Sequence, residues 1–397
     1  MQKLPRLFLF FLFTLSVGFA ERQIGDVIIS ADIKTVAVRV SSNVDELNNL
    51  ALLAFRVHGR YRLVGSGFSF DIRFTQVATN QVRVDIERDG GAKVHTEVVS
   101  GANLRNALLR AADVAVERTN GIGLKGFFAT KLTFIGERTS RKEVYTSDLF
   151  FGEVKQITKD NAQALTPRWS KDGNKIIYTS FFRSGFPDIY QIDLNNYQRT
   201  SFVSFKGTNS GARFSPDGQQ VAMVLSGEGN AEIYIGNAQG RQIRRLTRSD
   251  AVEASPCFSA DGSNIIFTSD AAGGPQLYLM STAGGSMRRV PTNISGYCAE
   301  PDWSRADANK IAFTIRIGRG YQIATYDFSK SGSAVQASHA PFDGVEPCWL
   351  GDGRHLVYTA RDESSSRICI LDTESGKSTA ISPANFGPTF QANVWVP

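Results

Sequence analysis

Histidine and cysteine are scarce in this chain, with four of each among 397 residues. The sequence lacks the HExxH motif, which sets two zinc ligands one helical turn apart. No serine is flanked by glycines as in GxSxG, the turn that exposes the nucleophile of α/β-hydrolases. These absences argue against a zinc hydrolase and a serine hydrolase. We expect the histidines to be surface or loop residues rather than catalytic bases: His58, His95, His339 and His355.

The apolar runs are short as well. The run at residues 7–13 cannot span a membrane, which takes about 20 apolar residues. It follows Lys3 and Arg6 and precedes a small-residue end, Gly18-Phe19-Ala20, which is typical of a secretory signal peptide. No cysteine stands at the cleavage point to carry a lipid. We predict that residues 1–20 are a signal peptide, cut after Ala20, and that the mature chain is exported and does not span a membrane.

Charge of neither sign dominates. Removing Lys3 and Arg6 with the signal peptide lowers the formal net charge from +6 to +4. No basic run is long enough to follow a phosphate backbone, so the sequence gives no case for nucleic-acid binding.

What the second half does contain is a repeat of 44 to 46 residues. Each copy opens with Pro or Ala, and most continue through Ser to an Asp-Gly turn between two apolar strands. A third strand and a short fourth strand follow. The five copies begin at Pro167, Ala212, Pro256, Pro301 and Pro347. A period of this length made of short strands is typical of β-propeller blades.

A sixth blade is divided between the two ends of the repeat region. Residues 131–136, 144–148 and 154–158 align with the second, third and fourth strands of a copy that has no first strand. The missing strand matches residues 390–394, after Pro388. If this segment pairs with the first blade, the ring is closed and no sheet edge stays open. The sequence therefore predicts a six-bladed β-propeller over residues 126–397, closed by a C-terminal strand.

Residues 21–125 have no such period and predict a small α/β domain. Strands are expected at 35–40, 60–64, 83–86 and 93–99, and helices at 44–56 and 103–119. The segment Gly121 to Gly126 matches GxGxxG, but it follows a helix and precedes a strand. A phosphate site needs the reverse order, so we interpret it as the loop that connects two domains in contact. The fold class is α+β.

The cysteines are widely spaced, with no CxxC pair. A propeller of this size has a core large enough to be stable without disulfide bonds, so we expect the cysteines to be buried apolar thiols. A bond between Cys257 and Cys298 of adjacent blades is the alternative.

Three acids stand where the blades begin. Glu300 and Glu346 directly precede the opening Pro of their blades, and Glu253 lies three residues before Pro256. We expect all three to lie at one mouth of the central channel. There they could receive basic side chains of a partner, or Glu300 and Glu346 could hold a structural Ca²⁺ in the channel. The alternative is that each acid is solvated or bonds a neighbouring backbone amide.

With these features in place, the chain resembles the TolB family, the periplasmic propeller component of the Tol-Pal system. The resemblance rests on Arg105-Asn106-Ala107-Leu108, on Gly126-Phe127-Phe128-Ala129-Thr130-Lys131 and on blade sequences such as Ala212-Arg213-Phe214-Ser215-Pro216-Asp217-Gly218. It implies a periplasmic, monomeric, non-enzymatic scaffold without a cofactor. The implied partners are the peptidoglycan-associated lipoprotein Pal, TolA and other outer-membrane proteins, and the implied role is to maintain the outer membrane and help its constriction at division.

Transferred to this sequence, the resemblance assigns two partner sites. The channel mouth would bind Pal through Lys206, Thr208, Asn209, Glu253, Glu300 and Glu346. The mature N-terminal segment would bind TolA through Glu21, Arg22, Gln23 and Ile24. The competing interpretation is a periplasmic propeller enzyme, or a sugar-binding or small-molecule-binding protein, that uses the acidic channel mouth.

Overall fold

The structure is a computed structural model, and it describes residues 35–138, 140–183 and 185–397. The predicted signal peptide and the segment containing Glu21, Arg22, Gln23 and Ile24 lie outside the described residues. Among the residues described, no helix is both long enough and apolar enough to cross a membrane.

The N-terminal domain packs two helices on a five-stranded sheet of order β2-β1-β3-β4-β5. Strand β1 runs parallel to β2 and β3, whereas β3, β4 and β5 are antiparallel neighbours. The elements are β1 (Val36–Ser42), α1 (Asp45–Val57), β2 (Tyr61–Leu63), β3 (Phe70–Ala78), β4 (Gln81–Arg88), β5 (Lys93–Ser100) and α2 (Leu104–Thr119). The expected strands and helices are all present within a few residues of their predicted bounds.

Strand β3 was not predicted. It alternates buried apolar Ile72 and Phe74 with charged Asp71 and Arg73, and this central strand is flanked by β1 and β4. Asp71 is nevertheless buried, because it accepts two hydrogen bonds from Arg39, at 2.9 and 2.7 Å. The charged residues that obscured the strand are thus neutralised by pairing across the sheet.

The propeller consists of six four-stranded blades. Blade 1 contains β6 (Lys131–Gly136), β7 (Glu143–Asp148), β8 (Lys155–Gln156) and β29 (Thr389–Trp395); blade 2 β9 (Ala164–Trp169), β10 (Lys175–Ser180), β11 (Asp188–Asp193) and β12 (Arg199–Val203); blade 3 β13 (Asn209–Phe214), β14 (Gln220–Leu225), β15 (Glu232–Asn237) and β16 (Arg244–Arg245). Blade 4 contains β17 (Glu253–Phe258), β18 (Asn264–Ser269), β19 (Gln276–Ser281) and β20 (Arg288–Arg289); blade 5 β21 (Cys298–Trp303), β22 (Lys310–Ile317), β23 (Gly320–Asp327) and β24 (Val335–Gln336); blade 6 β25 (Asp343–Trp349), β26 (His355–Arg361), β27 (Ser366–Asp372) and β28 (Ser378–Ala380). A short 3₁₀ helix, Ala384–Phe386, precedes β29.

The ring is closed as the repeat predicted. Strand β29 pairs antiparallel with β6, with Phe390 opposite Ile135 and Trp395 opposite Lys131. The last strand of the chain is therefore the innermost strand of the first blade, and blade 6 packs against it.

The Ser-x-Asp-Gly sequence builds the turn between the first two strands. In blade 3 the Ser215 hydroxyl donates to Asp217 Oδ1 at 2.5 Å, and the Gln219 amide donates to the same oxygen at 3.0 Å. Gly218 follows in the left-handed region, at φ 76°. These hydrogen bonds lower the pKa of Asp217, so the carboxylate that organises the turn is charged at neutral pH.

The four cysteines are free and buried, as expected. Cys257 and Cys298 are not bonded to each other, so the disulfide alternative is not realised in this structure.

Candidate functional site

The antiparallel order of each blade gives the propeller two faces. The innermost strands begin at one face, which also carries the loops between blades. Their Asp-Gly turns lie at the other. We call these the bulge face and the turn face.

Each innermost strand carries a β-bulge near its start. The pairing register shifts in all six strands, and one residue in each has a φ between 49° and 63°. These residues form what we call the bulge ring: Thr166, Gly211, Ser255, Glu300, Glu346 and Gln391. The residues two positions further along each strand form what we call the inner ring: Arg168, Arg213, Cys257, Asp302, Cys348 and Asn393. The two rings line the channel, the first around a cavity of about 360 Å³ and the second around one of about 450 Å³.

The bulge ring is linked from blade to blade by hydrogen bonds. Glu300 Oε2 accepts from the Thr314 hydroxyl at 2.7 Å and from the backbone amide of Glu346 at 3.0 Å. Glu346 Oε2 accepts in the same way from the Thr359 hydroxyl at 2.7 Å and from the backbone amide of Gln391 at 3.1 Å. One oxygen of each carboxylate therefore bonds a neighbouring backbone amide, which was the alternative to partner or cation binding considered from the sequence.

The two acids are close enough to affect each other. Burial and the neighbouring charge of Glu346 raise the pKa of Glu300 above its usual value. A cation at the mouth would relieve this repulsion. Among the residues described, however, Glu300 and Glu346 belong to no group of three His, Cys, Asp or Glu with ligand atoms within 4.8 Å of one another.

Glu253 lines the same cavity but differs from the other two acids in its surroundings. It is fully buried between blades, and its Oε1 accepts from the hydroxyls of Ser249 at 2.8 Å and Ser269 at 2.9 Å. Burial and a hydrogen bond shared with Glu232 raise the pKa of Glu253 to about 7. Glu232 is the charged partner, since Arg245 forms an ion pair with it. Glu253 thus joins blades 3 and 4.

The other three predicted mouth residues lie in the loop before blade 3 and at the first position of β13. Asn209 is fully buried, and its side-chain amide donates to the Phe205 carbonyl at 2.8 Å and to Asp188 at 3.2 Å, which holds the loop in place. Thr208 is partly buried, and Lys206 is exposed. Lys206 is therefore the member of the three most available to a partner.

The N-terminal domain docks on the turn face, beside blades 1 and 6. Arg105 of α2 pairs with Asp148 of blade 1, and the Lys377 ammonium of blade 6 donates to the carbonyl of Arg56. Asp113 of α2 accepts from the amides of Phe128 at 2.6 Å and Ala129 at 3.0 Å, in the segment that leads into the first blade. The predicted contact between the domains is present, and Gly121 to Gly126 is the connecting loop.

Two histidines meet at this interface, contrary to the prediction that each histidine is a surface or loop residue. His58 follows α1, His355 opens β26, and both are fully buried. Phe127 packs against both rings, at 5.3 and 4.7 Å. The sequence alone does not show which residues lie between the two domains, so it gave no reason to expect either histidine to be buried.

A ring nitrogen of each of the two histidines and a carboxylate oxygen of Asp352 all lie within 4.8 Å of one another. His58 Nδ1 accepts from the Arg60 amide at 3.2 Å, so in the neutral ring the proton is on Nε2. His355 Nδ1 lies 2.6 Å from Asp352 Oδ2 and donates to it. Neither His58 Nε2 nor His355 Nε2 has a hydrogen-bond partner in the described structure. The His58 tautomer offers no Nε2 lone pair to a metal ion.

The inner ring was not singled out from the sequence, although a signal for it existed. In the five full copies it is the residue directly before the aromatic, as in Pro-Arg-Trp, Ala-Arg-Phe and Pro-Asp-Trp, whereas in blade 1 Asn393 is followed by Val394. Side chains that vary among Arg, Cys and Asp at one position of an otherwise regular repeat indicate a surface not needed for blade packing.

The fold and this channel define a six-bladed β-propeller protein with an α/β domain docked beside one channel mouth. The TolB beta propeller domain family matches residues 119–397, and the chain belongs to that family. Among curated relatives, the Tol-Pal system protein TolB of Desulfosudis oleivorans is 36% identical over 127 residues, which is 32% of this chain and 28% of the relative. The protein of the same name from Desulfotalea psychrophila is 29% identical over 186 residues, covering 47% of this chain and 40% of the relative. The alignments thus span less than half of either relative.

A solved structure extends the similarity in fold to the N-terminal domain. The crystal structure of TolB from Acinetobacter baumannii matches with a TM-score of 0.79, over 93% of this chain and 98% of that one, at 23% identity. At this identity the similarity establishes the fold alone.

Proposed function

We propose that this chain is a periplasmic, non-enzymatic scaffold of the Tol-Pal system, and that its bulge face binds the peptidoglycan-associated lipoprotein Pal. Its membership of the TolB propeller family, and the naming of curated relatives as Tol-Pal system proteins, support the system. The observation that carries the binding site is the combination of acids and exposed apolar side chains on this one face.

The apolar side chains lie on loops and at one strand end of this face. Phe186 and Phe205 are 67% and 56% exposed, and Val252 and Ile317 are also exposed. Phe186, Phe205 and Lys206 line a shared surface cavity beside the mouth. Exposed apolar residues grouped around a polar centre are typical of a protein-docking surface.

The mouth supplies the polar centre. Glu300 and Glu346 each use Oε2 to link the blades, so Oε1 is available to a basic side chain or amide of a partner. The N-terminal domain contacts the opposite, turn face, so a partner could approach the mouth without displacing it.

The proposed second partner is TolA, bound by the mature N-terminal segment with Glu21, Arg22, Gln23 and Ile24. This proposal rests on the family resemblance, since the segment lies outside the described residues. Binding Pal and TolA together would let the protein help maintain the outer membrane and its constriction at division.

A titration of the mature chain with the soluble domain of Pal, followed by isothermal calorimetry, tests the proposal. We expect Glu300→Gln with Glu346→Gln, and separately Phe205→Ser, to weaken binding at least about tenfold, since central interface residues carry most of the affinity. Glu363→Gln, an exposed acid on the outer part of the same face, is the control and should bind normally. No measurable binding of Pal by the unmodified chain would exclude the proposal.

A further inference from the structure

Among the described residues, Arg168 is an arginine of the channel that forms no ion pair with a carboxylate. It lines both channel cavities, so it lies between the bulge ring and the turn face. In the described part of the chain, its guanidinium makes a single hydrogen bond, from Nη1 to the carbonyl of Pro167 at 3.0 Å, and no ion pair. A guanidinium has five N–H donors, and leaving most of them unused away from bulk water is unfavourable.

The other arginine of the inner ring, in contrast, has polar partners for its guanidinium. Arg213 Nη1 donates to Asp302 Oδ1 at 2.6 Å and to Cys257 Sγ at 2.7 Å. Asp302 uses its second oxygen to accept from the amide of Trp349 at 2.8 Å. The carboxylate of the inner ring is therefore fully occupied by Arg213 and the backbone.

The remaining members of the ring cannot balance Arg168. Burial raises the pKa of Cys257, and raises that of Cys348 to about 12, so both are neutral thiols. Asn393 is neutral, and its Oδ1 already accepts from the Trp169 amide at 3.0 Å. The ring thus holds two guanidinium groups and one carboxylate. Burial and the charge of Arg213 lower the pKa of Arg168, and the more weakly acting charges of Asp302 and Glu346 only partly offset this.

The cavity on the turn-face side of this ring adds further positive charge. It has a volume of about 450 Å³, and Lys125, Lys171 and Arg305 stand around it against one acid at the rim, Glu117. All four tryptophans of the chain also line it: Trp169, Trp303, Trp349 and Trp395. Sites for small ligands have this size and this mixture of aromatic walls and a few charged groups.

We propose that this cavity binds a small organic carboxylate, whose carboxylate group accepts two hydrogen bonds from the Arg168 guanidinium. Planar guanidinium and carboxylate groups match in a two-pronged pair, which would supply the missing partner. A ligand of sugar-acid or small-peptide size fits the volume. The site opens on the turn face, so it is separate from the proposed Pal surface and does not depend on it.

Two matched pairs of compounds test this binding and separate the two sources of carboxylate. Thermal unfolding of the mature chain is followed with glucuronate against glucose, and with N-acetylalanine against N-acetylalaninamide. We expect at least one carboxylate to raise the melting temperature in a saturable way and its neutral counterpart to leave it unchanged. Fragments of this size are expected to bind with millimolar dissociation constants, so each compound is tested up to a concentration about 100 times such a constant. If neither carboxylate raises the melting temperature there, the proposal is wrong.

Substitution of Arg168 gives the second test. In Arg168→Gln we expect the carboxylate to bind at least about tenfold more weakly, the effect of losing a charge-assisted pair. Without ligand this variant should be as stable as the unmodified chain or more stable, because a partly buried charge without an ion-pair partner has been removed. Arg319→Gln, an exposed arginine on the bulge face, should behave as the unmodified chain does. Equal carboxylate binding by Arg168→Gln and the unmodified chain would overturn the assignment.

Discussion

The imidazole rings of His58 and His355 lie 4.4 Å apart, centroid to centroid, across the contact between the two domains. The charged groups that influence them are Asp352, Arg354 and Asp372, all from blade 6. His355 pairs with Asp352, and its proximity disfavours a positive charge on the buried His58 ring. The contact between the domains is therefore opposed by protonation of His58.

Acidification is expected to weaken this contact. Burial, and then the proximity of His355, hold the pKa of His58 well below 6.5. Below pH 6.5 the unfolded chain therefore binds a proton that the folded chain does not, and stability falls by up to about 1.4 kcal/mol per pH unit. Thermal unfolding between pH 8 and pH 5 measures this.

The variant His58→Gln should lose less stability than the unmodified chain over that range. His95→Gln, which alters an imidazole paired with Glu97 on the outer part of β5, is the control and should retain the original slope. Equal slopes for the unmodified chain and His58→Gln would show that this histidine does not cause the pH dependence.

A single methyl group at Gly59 should disturb the docking of the domains. A Cβ there would overlap the carboxylate of Asp372 and lie 2.9 Å from Ser375 Oγ. Asp372 cannot move aside, because Arg354 holds both of its oxygens, at 2.9 and 2.7 Å. We expect Gly59→Ala to cost about 1–3 kcal/mol, the usual effect of overpacking.

The matched control is Gly65→Ala in the same domain, where an added Cβ meets nothing within 4 Å. Limited proteolysis in the connecting loop and the number of calorimetric transitions report docking. If Gly59→Ala were cleaved as slowly as Gly65→Ala and unfolded at the same temperature, the tight packing at Gly59 would be refuted.

Glu253→Gln should make the protein more stable at pH 8. The pKa of Glu253 is raised to about 7 in the folded chain, so the folded state loses a proton between blades 3 and 4 as the pH rises through that value. In the unfolded chain this carboxyl ionises near pH 4.5. The contribution of Glu253 to stability is therefore complete below pH 4.5, declines between pH 4.5 and pH 7, and stays low above pH 7. An amide at this position donates to Glu232 at every pH.

The gain should vanish toward pH 5, where Glu253 is protonated. Glu232→Gln is the contrasting variant and should destabilise at both pH values, because it replaces the charged partner of Arg245 with a neutral amide. Denaturant unfolding at pH 5 and pH 8 distinguishes the two. Destabilisation by Glu253→Gln at pH 8 would contradict the shared proton.

Removing the chain after Pro383 should destabilise the whole propeller. The deletion takes away β29, which supplies the backbone partners of β6 and packs against blades 2 and 6. We expect loss of the single cooperative transition in circular dichroism. Deleting only Val396 and Pro397, which lie beyond β29, is the control and should leave the transition unchanged. A cooperative transition at the original temperature after the longer deletion would contradict closure by β29.

Most of the propeller could be predicted from the sequence because its blades repeat. The Ser-x-Asp-Gly turn is local, because Ser215 and Asp217 bond each other and the backbone within six residues. Its recurrence every 44 to 46 residues fixed the blades, and the incomplete first copy identified Phe390 as part of the closing strand.

The channel was predicted less completely. Glu300 and Glu346 were found because they occupy the same position of two copies, but Glu253 is offset and buried between blades instead. The partner of an inner-ring side chain lies in another blade, as Asp302 does for Arg213, 89 residues away. No local pattern shows whether such a partner exists.

By itself, the sequence determined the blades, their number and the way the ring closes, because strands and turns are set by residues near one another in the chain. Only the tertiary structure decided that His58 meets His355 and that Arg168 forms no ion pair among the described residues. Both facts depend on distances between segments far apart in sequence, where packing rather than local preference sets burial and charge.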